Sequence, residues 1–360
     1  MMRFVTLSTL VVAVCAVQTG CCRCCPLFMG GRPIVVQAPP VVVQQPPPPV
    51  VPVNPPKDNA GPKDNFGPKD KKENAPPLGD PMDIAIAAVQ QRGGQVKRDE
   101  AQPGRPVESV RLTFTNLTDL ELKLIAPFTK LRRLEIGQNA ALTGTGLKEL
   151  AALKDLEYLD VSGSGINDDG AGPIAAFRNL KTLNLNNTKI GDRGFRDIAT
   201  LDQLQELTAS GLLLNGLKKD EPRDTTIKEL GRLKQLRKLD LSNTNTADES
   251  ARAIAGLNEL KVLHAYGTKI TDAGIMELAK LKQLEELRIG YAITDNGVNA
   301  LAGNMQLKTL SLQNNSGITD ASVKALSGLT SLRDLELVRT KISPKGRVEL
   351  RKALQGCKIR

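Results

Sequence analysis

The chain has 360 residues, with 49 Lys plus Arg, 39 Asp plus Glu, one His, 3 Tyr, 7 Phe and no Trp. A single histidine removes every site that needs two from one chain, which excludes zinc hydrolases, facial-triad iron enzymes and two-histidine zinc fingers unless a partner contributes ligands. The net charge of +10 is spread out, with 12 basic and 8 acidic residues over 1–106 and 37 against 31 thereafter. With no basic stripe and few aromatics to stack on bases, nucleic acid is not an expected partner. The 31 glycines and the scarce aromatics suit an aliphatic, turn-rich repeat better than a conventional globule.

Residues 1–20, MMRFVTLSTLVVAVCAVQTG, read as a signal peptide: a basic start at Arg3, an apolar run from Phe4 to Val17, then small and polar residues. That run is shorter than the roughly 20 residues a membrane-spanning helix requires. Cys15, Cys21, Cys22, Cys24 and Cys25 cluster here. Thr19 and Gly20 before Cys21 resemble a bacterial lipoprotein box and make Cys21 a candidate lipidation site, although Gln18 stands where that pattern has an aliphatic residue. A thiol cluster oxidised after export and a loosely bound metal are the other readings. From 21 to 79 the chain reads as this cluster followed by a low-complexity linker. Of the 22 prolines, 18 precede residue 107, a composition that favours an extended left-handed spacer over a packed core. PKDN, PKDN and PKDK begin at Pro56, Pro62 and Pro68.

Residues 80–106 read as an amino-terminal cap. Asp80-Pro81 opens a helix through MDIAIAAVQQR that stops at Gly93-Gly94, and Gln95-Val96-Lys97 adds a strand. From Val107 the pattern L-x-x-L-x-L recurs ten times to residue 343. Its middle members are Val110, Leu134, Leu159, Leu183, Leu207, Leu239, Leu263, Leu287, Leu310 and Leu335, at intervals of 24, 25, 24, 24, 32, 24, 24, 23 and 25. A second phrase fills the intervals, as in TKIGDRGFRDIATL from Thr188 and TKITDAGIMELAKL from Thr268. The L-x-L pair alternates as a short strand, the next Ile returns to the core, and Thr or Ser with Asp supplies oxygens for the free amides of a helix start. Helix starts are expected near Thr271, Thr294 and Thr319, with Ile275, Leu278 and Leu281 as one apolar stripe. Ser343-Pro344 opens a last helix and Gly356 stops it, so residues 344–360 read as a carboxy-terminal cap that Cys357 and Ile359 close against the last apolar layer.

A unit of this size cannot bury its own apolar face and must stack on neighbours. The sequence resembles the leucine-rich repeat family from about 107 to 360, and its T-K-I-T-D-x-G-x-x-x-L-A phrase resembles the ribonuclease-inhibitor-like and cysteine-containing subclasses found also in exported bacterial repeat proteins. Thr or Ser replaces the cysteine of the latter. The resemblance implies an α/β fold, a curved leucine-rich repeat solenoid (a horseshoe) with a parallel strand ladder on its concave face and helices on its convex face. It implies a binding scaffold and says little about the target. The 32-residue interval holds an insertion, LLLNGLKKDEPRD, at 212–224, which reads as a binding loop, a kink or a tolerated excursion.

One outward column falls between the later leucines: Arg111, Glu135, Asp160, Asn184, Thr208, Asp240, His264, Arg288, Ser311 and Glu336. All three tyrosines, Tyr158, Tyr266 and Tyr291, fall at or beside concave positions. Asp240, His264, Tyr266, Arg288 and Tyr291 form the candidate binding patch, with Tyr158 as a further candidate, because tyrosine and arginine serve as interface anchors. A lateral packing ladder is the structural alternative. Asp240 and His264 stand on neighbouring strands with Ser242 nearby, but no activated nucleophile or oxyanion pocket follows, and LNNTKIGDRG lacks the Lys-Ser ending of a nucleotide loop. No enzyme activity, cofactor or metal is expected. The chain reads as an exported module, envelope-located or extracellular, that binds a protein or polysaccharide, with membrane attachment through Cys21 as a candidate. The alternative is a structural cell-envelope protein without a discrete ligand.

Overall fold

The computed structural model describes residues 80–212 and 227–360. The export segment, Cys21, the tether and the insertion beyond Leu212 lie outside the described residues; Leu212 itself is buried. Helix α1 (Pro81–Gln91) starts at Asp80, whose carboxylate accepts from the Met82 N–H, and Pro81 needs no N–H partner in this first turn. Strand β1 (Gln95–Arg98) pairs antiparallel with β2 (Val107–Arg111).

Ten more strands add in parallel and in chain order: β3 (Arg133–Glu135), β4 (Tyr158–Asp160), β5 (Thr182–Asn184), β6 (Glu206–Thr208), β7 (Lys238–Asp240), β8 (Val262–Ala265), β9 (Glu286–Ile289), β10 (Thr309–Ser311), β11 (Asp334–Glu336) and β12 (Lys358–Ile359). Their register aligns the ten repeated apolar residues from Val110 to Leu335 in a single column that ends at Ile359. Each is buried up to Leu335, as are the flanking positions of every repeat, so the strands are short because only one or two inward residues per unit are needed.

Opposite the strands stand α2 (Asp168–Ala175), α3 (Asp192–Ile198), α4 (Asp248–Ile254), α5 (Asp272–Leu278), α6 (Asp295–Ala300), α7 (Val323–Ser327) and α8 (Pro344–Ala353). Three units depart from the expected α-helix and form six-residue 3₁₀ turns at Asp119–Leu124, Thr145–Leu150 and Ile227–Arg232. Segments this short are held by the tighter i to i+3 bond. Helices need about 8–10 Å between axes while parallel strands need about 4.8 Å, so a helix-backed ladder curves with its strands on the concave side.

The helix starts use the repeated phrase in a way a single unit does not disclose. Thr271, Thr294 and Thr319 are N-caps, each accepting from the second helical N–H of its own unit. The Asp that opens each helix reaches instead to the next unit. Asp248 accepts from Thr271 N (2.8 Å), Thr271 Oγ1 (2.7 Å) and Gly274 N (3.0 Å). Asp272 accepts likewise from Thr294 N and Oγ1, Asp295 from Thr319 N and Oγ1, and Asp320 from Ser343 N and Oγ. The glycine of the phrase has its reason here: a Cβ on Gly274 or Gly297 would lie 2.5 Å from the preceding unit's carboxylate oxygen. Where Ser322 replaces it, the hydroxyl donates to Asp295 instead.

At the strand exits a second ladder runs. Thr188, Thr244, Thr268 and Thr340 return their hydroxyls to the carbonyl three residues back. Buried Asn139 and Asn315 reach further. The Asn139 amide donates to Leu112 O and Ile136 O while its oxygen accepts from Thr115 N and Leu117 N, which joins two units through one side chain. Cys357 and Ile359 are partly buried against the core beyond α8.

Candidate binding surface

Every unit leaves its strand through a left-handed residue two positions past the last inward side chain. Glycine fills this place at Gly163, Gly211 and Gly267, and asparagine at Asn187, Asn243 and Asn314, the residues that tolerate positive φ best. Phe114 (φ 58°), Gln138 (φ 60°), Tyr291 (φ 89°) and Arg339 (φ 58°) take it at a conformational cost. These exits form a rim beside the strand face.

On the strand face the outward column is in register from Arg111 to Glu336. It is not evenly exposed. Ser311 is only 1 % exposed, lying between the longer Arg288 and Glu336 on the flanking strands, and Glu135 is 8 % exposed. Glu135 is held by two cations: Arg111 Nε donates to Oε2 and Arg133 Nε to Oε1, both at 2.7 Å. The Arg133 guanidinium carbon lies 3.5 Å from the ring centre of Tyr158, a cation–π contact. Tyr158 thus belongs to the amino-terminal half, apart from the other tyrosines.

The five residues of the central candidate patch fall into two groups. In the first, His264 lies between two carboxylates, with Nδ1 3.7 Å from Asp240 Oδ2 and Nε2 2.8 Å from Glu286 Oε1. The Asp240 hydrogen bond raises the imidazole above its ordinary pKa of 6.5; burial opposes this and Glu286 adds to it. Burial would raise the Asp240 carboxyl, but His264 and Ser242 outweigh it and hold the group below the usual aspartate value. Glu286 also accepts from Arg288 Nε at 2.7 Å. Both ring nitrogens therefore face carboxylates, and the Ser242 backbone N–H donates to Asp240 Oδ1 at 2.9 Å. Glu286 was missed because it lies in the second outward column, on the other side of Leu287. The alternation that found Arg288 also points to it.

The second group lies on the rim. The Tyr266 and Tyr291 rings are 5.0 Å apart at 52°, with their hydroxyls 2.9 Å apart. The Asn314 amide donates to the Tyr266 hydroxyl, and Arg339 Nη1 donates to Asn314 Oδ1 at 3.3 Å. The bond to Tyr291, with burial second, raises the Tyr266 pKa, so this phenol is protonated at neutral pH. Asn314 and Arg339 were not read from the sequence as site residues; the signal is their shared left-handed place at the strand exits. Among the described residues no cluster of three His, Cys, Asp or Glu side chains is placed to hold a metal ion, and no helix is long and apolar enough to cross a membrane.

A sequence model of the leucine-rich repeat matches residues 152–175, 178–199 and 303–327. No curated protein matches the chain significantly. Among solved structures, an internalin from Listeria monocytogenes is similar at 18% identity and TM-score 0.49, covering 77% of this chain and 94% of its own. An internalin C2 from the same organism is similar at 25% identity and TM-score 0.45, covering 63% of this chain and 87% of its own. A leucine-rich repeat protein of Leptospira interrogans is similar at 20% identity and TM-score 0.33, covering 69% and 83%.

Proposed function

The chain belongs to the leucine-rich repeat family, and from that premise we propose that it is an exported or surface-tethered binding module that recognises a protein through its concave strand face. The observation that carries this reading is the outward column. Its polar and charged side chains stand in register over successive strands, while the core is complete without them. Stacked repeats turn such columns into extended surfaces that a second macromolecule can span. Export is supported by residues 1–20 and attachment by Cys21, with the proline-rich linker as a spacer between anchor and repeats.

A photo-crosslinking residue at Thr208 on β6, compared with one at exposed Met276 on α5, tests the face in the producing cells. The expected result is a discrete crosslinked protein from Thr208 only. Equal capture from both sites, or capture from Met276 alone, overturns the reading. Intact-mass analysis of the mature protein checks the other half: loss of residues 1–20 with a diacylglyceryl group on Cys21 is the result expected for a tethered module, and an uncleaved chain rejects export.

A further inference from the structure

We propose that the rim patch of Tyr266, Tyr291, Asn314 and Arg339 is the specificity site of this surface, and that it takes an extended acidic peptide segment of the partner. This rests on the protein-binding reading above. The patch is built with some care against the backbone's preference. Tyr291 occupies a left-handed position that glycine or asparagine fills in six other units. The Tyr266 ring lies so close over Gly290 that a Cβ there would come within 2.9 Å of its Cε2 atom. Tyr291 is nonetheless 58% exposed, so burial does not recover the cost of placing it there.

The hydrogen bonds set the polarity of the patch. Arg339 donates to Asn314, Asn314 donates to Tyr266, and the two phenols share one proton between their oxygens. One phenol proton is left over in a hydrogen-bonded chain that begins on a cation. The Asn314 carbonyl is engaged by Arg339, and the Val338 carbonyl beneath accepts from the Asn314 N–H. Arg339 has no carboxylate partner among the described residues. The patch therefore offers donors and a positive charge, and its complement is rich in acceptors and negative. A sugar chain presents no negative charge to Arg339 unless it is acidic, and a polygalacturonate probe tests that case. An extended peptide presents carbonyls, and two or three residues along, at about 3.3 Å each, a carboxylate meets Arg339 two units away.

The test uses the full chain and a fluorescein-labelled (Glu-Pro)6 peptide, in which proline removes half the backbone donors, with (Lys-Pro)6 and polygalacturonate as comparison probes in fluorescence anisotropy. The expected result is saturable binding of (Glu-Pro)6 that weakens with salt, at least tenfold weaker binding of (Lys-Pro)6, and no competition by polygalacturonate. Arg339→Gln and Tyr291→Asn should each weaken the acidic peptide at least fivefold, Tyr291→Asn without lowering the unfolding midpoint. Arg252→Gln on α4, on the helix side, should leave it unchanged. Equal binding of both peptides, unchanged affinity in the rim variants, or displacement by polygalacturonate overturns the proposal. If Arg111→Gln at the far end of the column alone abolishes binding, the rim assignment fails while concave-face recognition stands. If no peptide binds, the rim assignment fails, and crosslinking at Thr208 decides the broader reading separately.

Discussion

Two edges of the solenoid use the repeat in opposite ways. At the helix starts one contact recurs almost unchanged: an Asp of one unit receives the Thr or Ser N–H and hydroxyl of the next, at Asp119, Asp248, Asp272, Asp295 and Asp320. At the strand exits the backbone conformation recurs while the residue type changes, from glycine and asparagine to Phe114, Gln138, Tyr291 and Arg339. Repeated chemistry serves stacking, which every unit needs equally. Departure in chemistry at a conserved conformation works against the local preference, and the units that depart are where a specific surface is found.

The largest effect should come from breaking the helix-start ladder. Asp119 accepts four bonds from the next unit: Thr143 N, Thr143 Oγ1, Gly144 N and Gly146 N. Burial alone would raise its carboxyl, but these donors hold it below the ordinary value of 3.8. Asp119→Ala leaves three N–H groups without that acceptor and should cost about 2–4 kcal/mol in urea unfolding. The carboxylate's contribution is present above the ordinary aspartate value and lost as pH falls through the lower folded value, so wild type and variant should converge in strong acid. A loss below about 0.5 kcal/mol, at most a quarter of that expectation, would mean the ladder does not hold the units together.

A smaller loss is expected from Gly274→Ala. The new Cβ would meet Asp248 Oδ1 at 2.5 Å and must push the carboxylate off the helix start. About 1–3 kcal/mol is expected for such overpacking. The double variant with Asp248→Ala should lose less than the sum of the two single changes, because the clash disappears with the carboxylate. Strict additivity would separate the glycine from the ladder.

What could be read without coordinates follows the same division. Val110 to Leu335 were legible because a buried column demands one kind of side chain at one spacing, and Thr271, Thr294 and Thr319 because a helix start demands an acceptor. The reach of Asp248 to the next unit was not, since a pattern within one unit does not show which unit a carboxylate serves. Asp240 beside His264 was legible from the 24-residue interval. Glu286 was legible in principle but lay in a column not followed. Arg339 was hidden for a deeper reason: asparagine advertises a left-handed backbone and arginine does not. Ser311 shows the limit of alternation, which gives direction but not depth, so a short hydroxyl between Arg288 and Glu336 is outward yet covered.

The rim offers the opposite sign. Tyr291→Asn restores the residue type that fits positive φ and should stabilise the chain by about 1 kcal/mol, read as a higher unfolding midpoint. The reverse graft, Asn243→Tyr, moves the same strain to a unit where φ is 57° and should cost a similar amount. If Tyr291→Asn destabilises, the tyrosine serves the fold through its contact with Tyr266, and the contrast between the two edges weakens.

The smallest effect belongs to the charged group on the strand face, and pH isolates it. His264 faces Asp240 from β7 and Glu286 from β9, and Arg288 bonds to the same Glu286. Burial opposes the lowering of Glu286, but Arg288 and His264 hold it below its ordinary value, so both carboxylates stay charged near neutrality. The folded state raises the histidine above its ordinary value of 6.5. Its stabilisation is therefore complete below pH 6.5 and is lost as pH rises through the raised folded value. The unfolding midpoint of the wild type should fall across that interval more than that of His264→Gln, which keeps a donor but cannot titrate. Other groups titrate alike in both proteins and cancel in the difference. Parallel midpoints would show that the imidazole carries the same charge whether or not the carboxylates surround it, and the strand-face network would then be a lateral packing ladder rather than an electrostatic one.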